Sequence, residues 1–64
     1  MLNADIQRVI RETSPAELAV MQDVDNWRSW ETATWLIGHI LTGYTESQTE
    51  AMAYRLLETV REGN

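Results

Sequence analysis

The side chains best suited to chemistry lie in one stretch, Asn26-Trp27-Arg28-Ser29-Trp30-Glu31-Thr32-Ala33-Thr34-Trp35-Leu36-Ile37-Gly38-His39-Ile40-Leu41. It carries the only histidine and all three tryptophans of the chain. On a helix, Glu31, Trp35 and His39 follow one another at four-residue steps and share a face. A flat aromatic anchor between a carboxylate and a titratable ring has the composition of a recognition surface. The competing reading, which the pattern favours, encloses this helix. Trp35 is then core, and Gly38 beside it lets another helix cross closely.

Catalysis finds little support. His39 as a general base needs a nucleophile or an orienting acid in a concave pocket. Four short helices rarely leave one, since ligand pockets run to roughly 300–1,000 Å³. The serines and threonines fall mostly at helix starts, where their hydroxyls already have a use. No cysteine is present, so a disulfide, a thiolate zinc site and a thiol nucleophile are all excluded. Phosphate-cradling glycine loops and basic–aromatic nucleic-acid patches are also missing. The expectation is a non-enzyme with no catalytic residues, no cofactor and no metal.

The densest acid cluster is Asp23, Asp25 and Glu31. Its spacing lacks the glycine and the distal glutamate of a calcium loop. By default it is a solvated turn that caps the helix after it. The functional alternative extends it with Glu46 and Glu50 into a face for an arginine- and lysine-rich partner, carboxylates replacing phosphates. Net charge is −5, and all five basic residues are arginine. Such a chain has no field for attracting nucleic acid, but it suits a protein that itself binds nucleic acid. Ordinary solubility accounts for the same charge equally well.

Four helices position these residues, over 3–13, 15–23, 29–42 and 45–62, and the class is all-α. In the first, Leu2, Ile6, Val9, Ile10 and Thr13 share a face behind an Asn3 cap. Asp5–Arg8 and Arg8–Glu12 are its available ion pairs. Ser14-Pro15-Ala16-Glu17 spells a capping box with proline at the first helical position. Leu18 and Met21 lie opposite Val20 and Val24, so the second helix is either wedged between neighbours, the favoured reading, or keeps a face for a partner. Ser29 is placed to cap the third helix and Gly43 to stop it. Trp30, Ala33, Leu36, Ile37, Ile40, Leu41 and Tyr44 form its apolar arc. Thr45 and Gln48 form a second capping box. Met52, Ala53, Leu56, Leu57 and Val60 face the core from the last helix, with Tyr54 at the margin and Gly63-Asn64 ending it.

These 64 residues make one domain, 1–64, with one small core. A chain of this size buries only roughly 60% of its unfolded surface, so patterned helices, the tryptophans or self-association must stabilise it. No apolar run approaches the ~20 residues of a membrane span, and Met1-Leu2-Asn3-Ala4-Asp5 lacks the features of a secretion signal. The expected location is the cytoplasm of a host cell.

Trp27-Arg28-Ser29-Trp30-Glu31-Thr32 resembles the signature of a family of short, uncharacterised helical domains from phages, other mobile elements and prokaryotes. That signature runs Trp-x-Asn-Tyr-Glu-Thr-Trp and precedes an apolar helix. Trp27, Glu31 and Thr32 match it, while Ser29 and Trp30 replace a cap by a cap and an aromatic by an aromatic. Ala33 stands where the family has tryptophan, and Trp35 comes two residues later. The resemblance implies a helical fold and a mobile-element setting, with no activity attached. Two functions remain from the sequence. One is an anti-CRISPR-type inhibitor that binds a basic, nucleic-acid-binding host defence complex, as monomer or homodimer. Its binding residues would be Asp23, Asp25, Glu31, Trp35, His39, Glu46 and Glu50. The other is a self-associating structural or regulatory module.

Overall fold

The computed structural model describes residues 2–63, and side chains from residue 3. The expected places of Leu2 on the first apolar face and of Asn64 at the chain end lie outside the described residues. Four α-helices follow one another: α1 (Leu2–Glu12), α2 (Pro15–Gln22), α3 (Arg28–Ile40) and α4 (Glu46–Arg61). The central pair is α3 and α4, with α1 and α2 each packed on both. The all-α class read from the sequence is the observed one.

Helical periodicity builds one core from all four elements. It receives Ile6 and Val9 from α1, Met21 from α2, and Ala33, Leu36 and Ile37 from α3. Met52, Ala53, Leu56, Leu57 and Val60 come from α4, and Leu41 from just beyond α3. Ala33 and Ala53 are fully buried, so little bulk separates α3 from α4 at those positions. No tryptophan joins this cluster. Trp27, Trp30 and Trp35 are 76%, 36% and 57% exposed, which corrects the expectation that Trp30 and Trp35 belong to the interior.

The helix starts of α2 and α4 are as expected. The Ser14 hydroxyl accepts from the Glu17 N–H while Glu17 accepts from the Ser14 N–H. Thr45 and Gln48 do the same for α4. At α1 and α3 the caps differ. Asn3 lies within α1 rather than ahead of it. For α3, the Asn26 side chain accepts from the Arg28 N–H at 2.9 Å, and the helix begins one residue before Ser29. Ser29 instead sits inside the first turn and is buried. Its hydroxyl lies 2.7 Å from the Val20 carbonyl and 2.8 Å from that of Asp23. A hydroxyl in the first helical turn can accept from its own helix as a cap or donate to a carbonyl of a neighbour, and here the second use prevails.

α3 also stops earlier than Gly43 suggested. Leu41 leaves in an extended conformation (φ −106°, ψ 126°), which keeps its side chain in the core. Gly43 has φ +91° and reverses the chain two residues later. Two long-range bonds tie the helices. Arg61 Nε donates to the Met21 carbonyl at 3.1 Å, joining the last turns of α4 and α2. The Tyr44 hydroxyl donates to Asp5, joining the α3–α4 connection to α1. Asp5 is thus engaged by Tyr44 rather than Arg8, and Arg8 pairs with Glu12 at 2.9 Å. Among the described residues no helix is long and apolar enough to cross a membrane.

Two outcomes are expected. Ser29→Ala removes the one hydroxyl proton shared by the Val20 and Asp23 carbonyls, which keep the backbone N–H groups of Asp23 and Asn26 as donors, and should cost about 1 kcal/mol in a urea melt; an unchanged midpoint would mean the hydroxyl has no structural role. The hydrogen bond from Tyr44 to Asp5, helped by partial burial and the Asp5 charge, raises the Tyr44 pKa above its ordinary value. Its stabilising contribution is therefore complete below the unfolded tyrosine pKa of about 10 and lost as pH rises through the higher folded value. In a Tyr54→Phe background, phenolate absorbance should appear at lower pH once Asp5 is changed to Asn.

Candidate functional site

The surface of α3 that faces away from the core carries Glu31, Trp35, Gly38 and His39, all exposed. They lie on the helix side opposite Ala33, Leu36 and Ile37, as the 3.6-residue period requires. The favoured expectation of an enclosed helix is therefore overturned. Trp35 is on the surface, and a Cβ at Gly38 would meet nothing within 4 Å. No helix crosses there. The physical reason is that α1, α2 and α4 cover only the apolar arc of α3 and leave the opposite arc open.

Trp35 is nevertheless well positioned. The His39 ring stacks on the indole, with centroids 4.7 Å apart and planes inclined by 11°. An open groove of about 370 Å³ lies beside it, lined by Glu17 from α2 and Glu31, Thr32 and Trp35 from α3. The expectation that so small a bundle leaves no pocket is corrected, because the opening lies on the surface between two helices. His39 does not line the groove, nor do the described contacts give it a hydrogen bond to a carboxylate or hydroxyl. Glu31 and Thr32 precede Trp35 by about one turn and His39 follows by one turn. The groove residues and His39 thus lie on opposite sides of Trp35 along the helix.

Glu17 was not among the expected site residues. The capping box had assigned it a local task, and nothing in its sequence position signals that α2 lies beside the open arc of α3. Its Oε1 accepts from the Ser14 N–H at 3.2 Å and hydroxyl at 2.9 Å. Neither Glu17 nor Glu31 takes part in a described ion pair; that of the described residues is Arg8–Glu12. The groove therefore keeps two uncompensated carboxylates beside one aromatic face.

The other expected binding residues are dispersed. Asp23 Oδ1 accepts from the Asp25 N–H at 3.0 Å, so this aspartate builds the α2–α3 turn. Asp25 is exposed in the same turn. Among the described residues no three acidic or histidine side chains converge as metal ligands would. Glu46 and Glu50 occupy the first turns of α4. The Arg61–Met21 bond puts the other end of α4 next to the α2–α3 turn. Glu46, fifteen positions before Arg61, is thus about 22 Å further along at 1.5 Å per residue. The five carboxylates do not make one face.

Near the turn, Val24 is 66% exposed, and the Arg28 guanidinium lies 5.0 Å from the Trp27 ring centroid. The apolar face of α2 that reaches neighbours is that of Met21 and Leu18, with Val20 half-buried, and Val24 is left uncovered. Trp30 sits at the bundle rim, its ring tilted 53° against Tyr54 at 4.7 Å.

Among known proteins, no family, no curated relative and no solved structure matches this chain. The site therefore stands on its own geometry. Trp35→Ala removes an exposed ring and one stack, and should cost about 1 kcal/mol or less in a thermal melt. Leu56→Ala, at a fully buried position of α4, should cost about 2–5 kcal/mol. Equal losses for the two variants would contradict a surface role for Trp35.

Proposed function

We propose that this chain is a non-catalytic inhibitor that docks on a basic, nucleic-acid-binding host protein. Its docking centre is the groove of Glu17, Glu31, Thr32 and Trp35. The observation that carries the reading is the exposed indole beside two carboxylates without ion-pair partners. A nucleotide likewise presents a planar aromatic ring beside an anionic group, and proteins that hold single strands use stacking together with positive charge. Trp35 with Glu17 and Glu31 offers the same pair of chemistries to a surface built for nucleic acid. The net charge of −5 adds long-range attraction. That attraction acts mainly on association rate and is screened over about 8 Å at physiological ionic strength. The mobile-element setting of the resembling signature suits an inhibitor of the anti-CRISPR type.

Self-association is the second reading, favoured by the further exposure of Val24, Trp27 and Tyr54. The experiment separates the two. The immobilised chain is exposed to nuclease-treated host lysate, and retained proteins are identified and then challenged with a single-stranded oligonucleotide. A basic nucleic-acid-binding protein should be retained, displaced by the oligonucleotide, and lost with the Glu17→Gln, Glu31→Gln, Trp35→Ala triple variant. A partner that nucleic acid does not displace would remove the mimicry. A wild-type dimer in sedimentation equilibrium that Trp35→Ala converts to monomer would move self-association ahead.

A further inference from the structure

The groove beside Trp35 has a geometry that discriminates between the two cations a basic partner can offer. We infer that it takes the guanidinium of an arginine side chain in preference to the ammonium of a lysine, an inference that rests on the docking role proposed above.

Three observations converge. The first is the orientation of the indole. One face is held by His39, nearly parallel at 4.7 Å and 11°. The groove lies toward Glu31 and Thr32, about one turn earlier on the helix, and His39 is not among its lining residues. A planar cation laid on the indole face that His39 leaves open would continue a parallel stack of His39, Trp35 and guanidinium. Arginine is suited to this because its charge is delocalised over a flat, weakly hydrated group, whereas lysine carries a compact and strongly hydrated charge.

The second is the placement of acceptors. Glu17 lines the groove from α2 and Glu31 from α3, so each wall carries one glutamate on a mostly apolar lining, and one Glu17 oxygen is already held by Ser14. The guanidinium has five donors in a rigid fork, and it can stack on the ring while its edges donate to carboxylates on two sides. The third is size. About 370 Å³ of open groove admits the end of a long side chain from solvent without any movement of the helices. The chain already contains a related contact at the nearby turn, where Arg28 lies over Trp27 at 5.0 Å.

The test titrates the full isotope-labelled chain with oligo-arginine and oligo-lysine peptides of equal length, following the three indole N–H resonances. Oligo-arginine should shift the Trp35 resonance and bind tighter than oligo-lysine by about twofold, part of the roughly 0.5–1 kcal/mol that a whole exposed cation–π contact is worth. Trp35→Leu, which keeps apolar bulk without a π face, should abolish the preference while the helical circular-dichroism signal persists. Glu17→Gln with Glu31→Gln should weaken both peptides. If both peptides shift Trp35 with equal affinity, or Trp35→Leu retains the preference, arginine selection is wrong and the docking role stands. If neither peptide shifts Trp35, the docking role fails and arginine selection fails with it.

Discussion

The two helices that line the groove are tied together at the hydroxyl of Ser29. It is a buried polar group, 3% exposed, and it serves the carbonyls of Val20 and Asp23 at 2.7 and 2.8 Å. Those carbonyls belong to the end of α2 and the turn after it, where the Asp23 and Asn26 N–H groups also reach them, at 3.3 and 3.1 Å. The donor belongs to the first turn of α3. One side chain therefore links two helices that have only a short turn between them. Asp23 and Asn26 complete the turn by accepting from the N–H groups of Asp25 and Arg28. Arg61 reaches across from α4 to the Met21 carbonyl and closes the same helix end from another side. With α2 and α3 linked in this way, Glu17 comes to lie across from Glu31 and Thr32.

A core of this size leaves its large aromatics outside. The buried cluster is made of aliphatic and methionine side chains, with alanine at one position each on α3 and α4. An indole needs a deep apolar site and a partner for its N–H. The narrow space between helices of a 64-residue chain is filled instead by branched and flexible side chains. Trp30 and Tyr44 lie on the margin of the apolar arc and are 36% and 37% exposed. Trp35 lies opposite the arc and is more exposed still. Such rings add contact area at the rim, while the cooperative interior depends on Met21, Ile37, Leu56, Val9 and Val60, the largest fully buried side chains.

The helices were legible because their signals are local. Ser14 with Glu17 and Thr45 with Gln48 mark the starts of α2 and α4 by hydrogen bonds that span three residues. The apolar faces of α1 and α4 repeat at helical spacing without ambiguity. Ser29 misled because the same hydroxyl can cap its own helix or serve a neighbour, and only the tertiary arrangement decides. Trp35 misled for a related reason. The helical period already puts it with Glu31 and His39 on the polar arc, but a helix enclosed by its neighbours, with one crossing at Gly38, would bury it. How much of α3 its neighbours cover is a property of the packing and is not encoded near residue 35. The acidic residues show the same limit, since Asp23 and Glu46 look alike in composition yet lie at opposite ends of α4.

The groove gains from groups that are already held in place. A surface ion pair usually contributes little, because two long side chains must give up their freedom to meet. Part of that cost is absent here. Ser14 bonds twice to one oxygen of Glu17, so the carboxylate is restrained by the same box that starts α2. His39 stacks on Trp35 and restrains the indole from the other side. Both restraints exist before any partner arrives, which lowers the ordering entropy of association. Glu17 thus serves fold and surface with one side chain, and its removal would cost helix stability as well as charge. Gln keeps an acceptor for Ser14 and loses only the charge, so the substitution separates the two roles. The exposed face of α3 is a set of side chains that local structure has already oriented, and their orientation, more than the net charge, distinguishes the groove from the rest of an acidic surface.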